Sequence, residues 1–224
     1  MVQYKIIRSK RKTAALHVKN GEAIIRAPYG YPKENIEQFV AQKEQWLTGV
    51  LAKQNGQIES KKKFEINYDD TIMIQGKLCP VIENHGNGTF FNGEEVFIPV
   101  GLPPEKIKAA CIQIYKKAGK FYIHGRVAYY AAIMGVEPAS VKISNAKTRW
   151  GSCSSRKRLN FSWRLMMAEY SVVDYLIVHE LAHIIVPNHS ADFWRVVEII
   201  LPDYKNEQAK LKILQQRLMH EDWG

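Results

Sequence analysis

The five residues His179-Glu180-Leu181-Ala182-His183 constrain this chain more than any other stretch. They place two imidazoles and a carboxylate on a segment patterned as a helix. Val173, Leu176, Ile177 and Leu181 recur at helical spacing, Ser171 is a candidate N-cap with Asp174 three residues on, and Pro187-Asn188 stops the run. Residues four apart on a helix lie on one face about one turn apart, so His179 and His183 can reach a single ion.

A catalytic zinc keeps three protein ligands and leaves its fourth position to water, so a further donor has to come from elsewhere. His189 stands six residues beyond His183, the offset of the metzincin signature H-E-x-x-H-x-x-G-x-x-H, in which the chain turns back after the helix. Val186 occupies the place of that signature's glycine and Pro187-Asn188 follow, so the turn has to be built without glycine's freedom. Acidic alternatives for the third ligand are Glu198, Asp203 and Glu207. Any of these, or Asp174 or Asp192, could instead accept a hydrogen bond from a ligand imidazole. Glu180 projects beside the ion, where its carboxylate can act as general base toward a water that the ion has acidified, then pass the proton to a leaving nitrogen. The expected reaction is zinc-dependent hydrolysis of a peptide or related amide, with one Zn2+ per chain and a peptide or protein as substrate.

Ahead of this helix, Arg149-Trp150-Gly151-Ser152-Cys153-Ser154 reads as a polar turn of small residues, with Arg149 a candidate oxyanion stabiliser and the segment a candidate for contact with substrate. His17, His85, His124 and His220 lack partners at ligand spacing and read as surface or core histidines.

Composition sets the alternatives. The formal charge of +10 would attract an anionic partner, and Arg8–Lys12, Lys61–Lys63 and Arg156–Arg158 would make a nucleic-acid footprint if they gathered on one face. The second reading is therefore a DNA-associated or nucleic-acid-binding protein whose zinc is structural or serves another hydrolysis; a third is an amidase of small or cell-wall substrates. Cys79, Cys111 and Cys153 are an odd number at wide spacing with no C-x-x-C pair, which argues against a disulfide framework or a thiolate cluster. The basic stretch Met1–Thr13 lacks the apolar core of a secretory signal, and no apolar run reaches the length of a membrane span. The expected setting is cytoplasmic.

The fold class expected is α+β. Short strands at Val2–Ile7, Ala14–Val18 and Ala23–Arg26, the last two joined by Asn20-Gly21, precede a helix over Glu34–Lys53 and an exposed connection at Asn55–Lys63. The runs Thr71–Gln75, Leu78–Glu83, Thr89–Phe91 and Val96–Val100 then read as consecutive antiparallel strands. Pro103-Pro104 opens a long helix over Glu105–Met134, with Gly135 as its C-cap. The change from strand to helix places a domain boundary near 101, giving a β-rich region with one helix at 1–100 and a second domain at 101–224. In the latter, strands at Ser140–Asn145 and Leu159–Arg164 flank the polar connection Ala146–Arg158, and helices follow from Ser171, from Ala191 with Ser190 as cap, and over Glu207–Met219.

Arg149–Ser154, then His179–His183, Pro187-Asn188-His189-Ser190 and Phe193-Trp194, together with Ser9–Thr13 and Phe39–Trp46 nearer the N-terminus, resemble the YgjP-like metallopeptidase family. The resemblance covers nearly the whole chain. It implies a minimal zincin-like domain at 101–224, distantly related to SprT-like and WLM proteases, with three histidine ligands and a glutamate base at the positions above.

Overall fold

The computed structural model describes residues 2–224; Met1, the first residue of the basic N-terminal stretch, lies outside them. Asn20 and Gly21 carry φ of 54° and 75°, the doubly positive backbone that a two-residue hairpin needs. They join β2 (Ala15–Lys19) to β3 (Glu22–Pro28), and β1 (Tyr4–Ser9) pairs parallel with the other side of β3, giving the order β1-β3-β2. Alternation along β3 buries Ala23, Ile25 and Ala27 against Ile36 and Val40 of α1 (Lys33–Gln42) and Leu47 of α2 (Glu44–Lys62). The single helix expected over Glu34–Lys53 is thus two, broken at Lys43, and the expected connection at Asn55–Lys63 is helical as far as Lys62. Gly56 is tolerated there, the Ser60 hydroxyl donates back to its carbonyl, and Lys61 and Lys62 fall in the last turn, where the helix dipole favours cations.

These elements form one compact unit, which runs to Phe64 and takes in Leu218–Asp222 and Gly224; Glu65–Arg217 and Trp223 form the other. The boundary expected near 101 falls inside the second unit, because the composition there records a change from sheet to helix and not a gap in packing. The sheet of that stretch is tied to elements later in the chain: the amides of Gln75 and Gly76 donate to the carbonyls of Met166 and Met167, and the Tyr115 hydroxyl donates to the Met73 carbonyl. Its order is β4 (Thr71–Ile74), β5 (Lys77–Asn84), β7 (Val96–Pro99), β6 (Phe90–Phe91). β5 and β7 are parallel, unlike the antiparallel succession expected. β6 hairpins onto the outer side of β7, which leaves β7 facing β5 in the same direction.

Helix α3 (Pro104–Met134) starts on prolines and ends at Gly135 with φ of 62°, as the sequence predicts. Its buried side packs on a third sheet, β8 (Ser140–Ser144), β10 (Arg158–Ser162) and β9 (Gly151–Cys153), in that spatial order, with β8 parallel and β9 antiparallel to β10. β9 lies within the segment expected to be a polar connection. After a buried 3-10 turn at Trp163–Met167 come α4 (Tyr170–Ile185), α5 (Ala191–Ile200) and α6 (Tyr204–Leu218). Ser171 does not cap α4 through its side chain. Its hydroxyl donates to Glu207 at 2.7 Å, and Glu169 is the N-cap residue. Among the described residues no helix is long and apolar enough to cross a membrane.

α4 is tied to α3 through Asp174, which accepts from Arg126 Nε at 2.8 Å and from its terminal nitrogen at 2.6 Å, and from the hydroxyls of Tyr122 and Tyr130 at 3.2 Å. The carboxylate raises the Arg126 pKa above its already high value, while burial and the Asp174 charge raise those of Tyr122 and Tyr130. Asp174 is therefore committed to holding two helices together and not to an imidazole. With the Arg126 side chain 30% exposed, the pair is partly screened. Asp174→Ala should cost about 2 kcal/mol of unfolding free energy, read from urea titrations, because the guanidinium and two hydroxyls lose their shared acceptor.

Candidate metal centre

Helix α4 is apolar nearly all round, with Val172, Val173, Leu176, Ile177, Leu181 and Ala182 buried, so its few polar side chains face the places where packing is interrupted. His179 and His183 lie one turn apart on such a face. The helix ends at Val186, which has an extended backbone of φ −126° and ψ 106°. A β-branched residue before proline is biased toward that region, so the return turn needs no glycine. The Asn188 side chain then accepts the Ser190 amide at 3.2 Å, tightening the bend that brings His189 back.

The three imidazoles converge, with one possible ligand atom from each lying within 4.8 Å of the other two. The Nε2 atoms of His189 and His179 are 3.1 Å apart. Two bonds of about 2.0 to 2.1 Å to one tetrahedral ion would place such nitrogens about 3.3 Å apart, so the arrangement fits a shared cation. Burial, and then the neighbouring His183 and His189, push His179 down to about 3, and burial with His189 lowers His183 against the raising effect of the Val186 and Pro187 carbonyls. Both shifts favour the neutral form that a metal requires, and an all-imidazole donor set suits zinc.

The acidic alternatives do not join this cluster. Glu207 accepts from Ser171 and Lys210, Asp203 from the Asn206 side chain, Asp192 pairs with Arg195, and Glu198 points to solvent. The rings are oriented instead by an aromatic floor. Phe193, fully buried at the start of α5, lies 4.9, 4.5 and 4.8 Å from the centres of His179, His183 and His189, and Trp194 lies 5.8 Å from both His179 and His189. In the sequence Phe193 enters with Trp194 as part of the family resemblance, but no spacing marks it as the packing partner of the histidines.

Glu180 is 5% exposed, and its Oε2, like Nδ1 of His179 and of His183, is buried with no hydrogen-bond partner. Its carboxylate rests on Gly151, where an added Cβ would meet Oε1 at 2.5 Å and the carboxyl carbon at 2.9 Å. Burial pushes Glu180 up to about 7, opposed by the charge of Arg149 and the Cys153 amide. A cation on the adjacent imidazoles would pull it back toward the ionised form. Glu180, the histidines, Gly151 and Cys153 line a cleft of about 650 Å³. Arg149 acts on Glu180 through its charge but lines the neighbouring cleft.

A family model described as YgjP-like, metallopeptidase domain, matches residues 12–214. Two solved structures also match. The metallopeptidase zymogen abylysin of Pyrococcus abyssi is 24% identical over 43% of this chain and 91% of its own, with a TM-score of 0.35. The metallopeptidase zymogen jannalysin of Methanocaldococcus jannaschii is 22% identical over 42% of this chain and 95% of its own, with a TM-score of 0.37. No curated protein matches the chain.

The close approach at Gly151 predicts a distinctive variant. Gly151→Ala should displace the Glu180 carboxylate and lower peptide hydrolysis by about 10²-fold, while elemental analysis finds the metal content of the wild type.

Proposed function

Because the chain belongs to the YgjP-like metallopeptidase family, we propose that it cleaves peptide bonds with one zinc ion held by His179, His183 and His189, as an HExxH-x5-H enzyme with Glu180 as general base. The observation that carries this reading is the convergence of three histidine donors beside a buried carboxylate oxygen that no protein group satisfies. Zinc in that position supplies Lewis acidity, acidifying a water and polarising the substrate carbonyl. Glu180 accepts a proton from the attacking water through Oε2 and delivers it to the departing nitrogen. Burial raises its pKa and a cation on the imidazoles would lower it, opposing effects that suit a carboxyl serving first as acceptor and then as donor. Gly151 keeps β9 close enough for base and substrate backbone to meet. β9 is an edge strand, along which an extended peptide can lie. In this reading 101–224 carries the chemistry in a cytoplasmic setting, with the β4–β7 sheet packed onto it.

Wild-type protein should contain about one zinc per chain by elemental analysis, and His183→Ala or His189→Ala less than about a tenth of that. Glu180→Gln should retain zinc and lose kcat by about 10³-fold with KM little changed. A zinc-loaded protein that cleaves no peptide or protein, yet binds DNA in a salt-dependent manner, would replace this reading with the DNA-associated one.

A further inference from the structure

Across β9 from the histidine cleft lies a second cleft, of about 420 Å³, whose lining carries Lys142, Arg149, Arg156 and Arg158 and no acidic side chain. None of these four cations makes an ion pair among the described residues. The third sheet explains how they gather. Leu159 and Phe161 of β10 are buried on its helix-covered face, so alternation turns Arg158 and Asn160 to the opposite face. Lys142 on β8 sits beside Asn160 in register, and Ser152 on β9 flanks Asn160 on its other side. Arg149 and Arg156 stand just before and just after β9. Ser152, Ser154 and Ser155 line both clefts, so the two are separated by about one strand.

We infer that this basic face is a specificity subsite for acidic side chains of the peptide being cleaved, a conclusion that rests on the peptidase reading above. A peptide that adds to the free edge of β9 continues the sheet, and its side chains alternate between the two faces. Those of one parity point toward the helix face and the histidines; those of the other point to the basic face beside Ser152, within reach of Arg149 and Arg156 at the ends of β9 and of the long Arg158 side chain on the next strand. Carboxylates two residues apart both reach the basic face, where the arginine forks can take them in pairs. Nucleic acid fits less well. Three strands span only about 10 Å, and no aromatic ring lines the cleft to stack a base.

The test uses Glu180→Gln protein loaded with zinc, so that binding is read without turnover, and fluorescein-labelled decapeptides at low ionic strength. One peptide is neutral, one has two glutamates at adjacent positions, and one has two glutamates two residues apart. Fluorescence anisotropy should give the last a Kd about tenfold below that of the neutral peptide, with the adjacent pair in between. Adding Arg156→Ala and Arg158→Ala should bring the three Kd values together, and Arg158→Glu should shift the preference toward a peptide with two lysines. Zinc content equal to the parent's shows that each variant is folded. Equal Kd values for the two acidic peptides, or a preference that survives the double substitution, overturns the inference. So does a single-stranded DNA 12-mer that binds more tightly than any peptide through the same two residues. Cleavage of the neutral peptide by wild type together with any of these results leaves the peptidase reading standing. Absence of all cleavage by zinc-loaded wild type removes that reading itself.

Discussion

The Glu180 carboxylate occupies the space that a side chain at position 151 would fill, and the geometry of the candidate centre depends on that contact. Helix α4 and strand β9 approach only because Gly151 has no Cβ. The approach is enforced from both sides, by β10 pairing with β9 and by α4 burying an almost entirely apolar surface. A carboxylate held this way has little room for alternative rotamers. It is also buried, which accounts for the rise of its pKa to about 7.

Partial burial also acts on two of the imidazoles. Burial lowers the pKa of both His179 and His183, and the His179 Nδ1 is buried without a partner while the Val186 and Pro187 carbonyls act on His183. Compensation is structural: Phe193 packs near all three rings, and its own burial anchors it at the start of α5. The rings are thus set in place by packing. Buried polar atoms left without partners are a departure from local rules of the kind expected at a functional site.

Legibility in the sequence tracks the strength of the local signal. The two-histidine helix, the long helix with its Gly135 cap, the helix after Ser190 and the Asn20-Gly21 hairpin carry periodicity or positive-φ chemistry in single short segments. Strand β9 carries neither, since Gly-Ser-Cys has no β-branched residue and becomes a strand only by pairing with β10. The break at Lys43 and the helical course of 55–62 reflect packing on β2 and β3, and the parallel arrangement of β5 and β7 reflects where a two-residue strand lands. Asp174 reads as a cap partner or an imidazole acceptor in the sequence because its partner Arg126 is 48 residues away. For the candidate site, spacing is enough to single out three histidines and a glutamate. Phe193 and Gly151 stand in segments that carry the family resemblance, but they act through shape, which no spacing reveals.

The turn at Val186-Pro187-Asn188 gives the three donors unequal standing. His179 and His183 belong to one helix whose backbone is hydrogen-bonded throughout, whereas His189 is exposed and sits on a bend fixed by a proline and an asparagine side chain. For a cation held by all three histidines, opening of the bend would withdraw one donor and leave a two-point chelate behind. Metal would therefore leave and enter stepwise, with exchange timed by a few residues of turn, and the lifetime of the loaded protein would be a property of that bend more than of the helix.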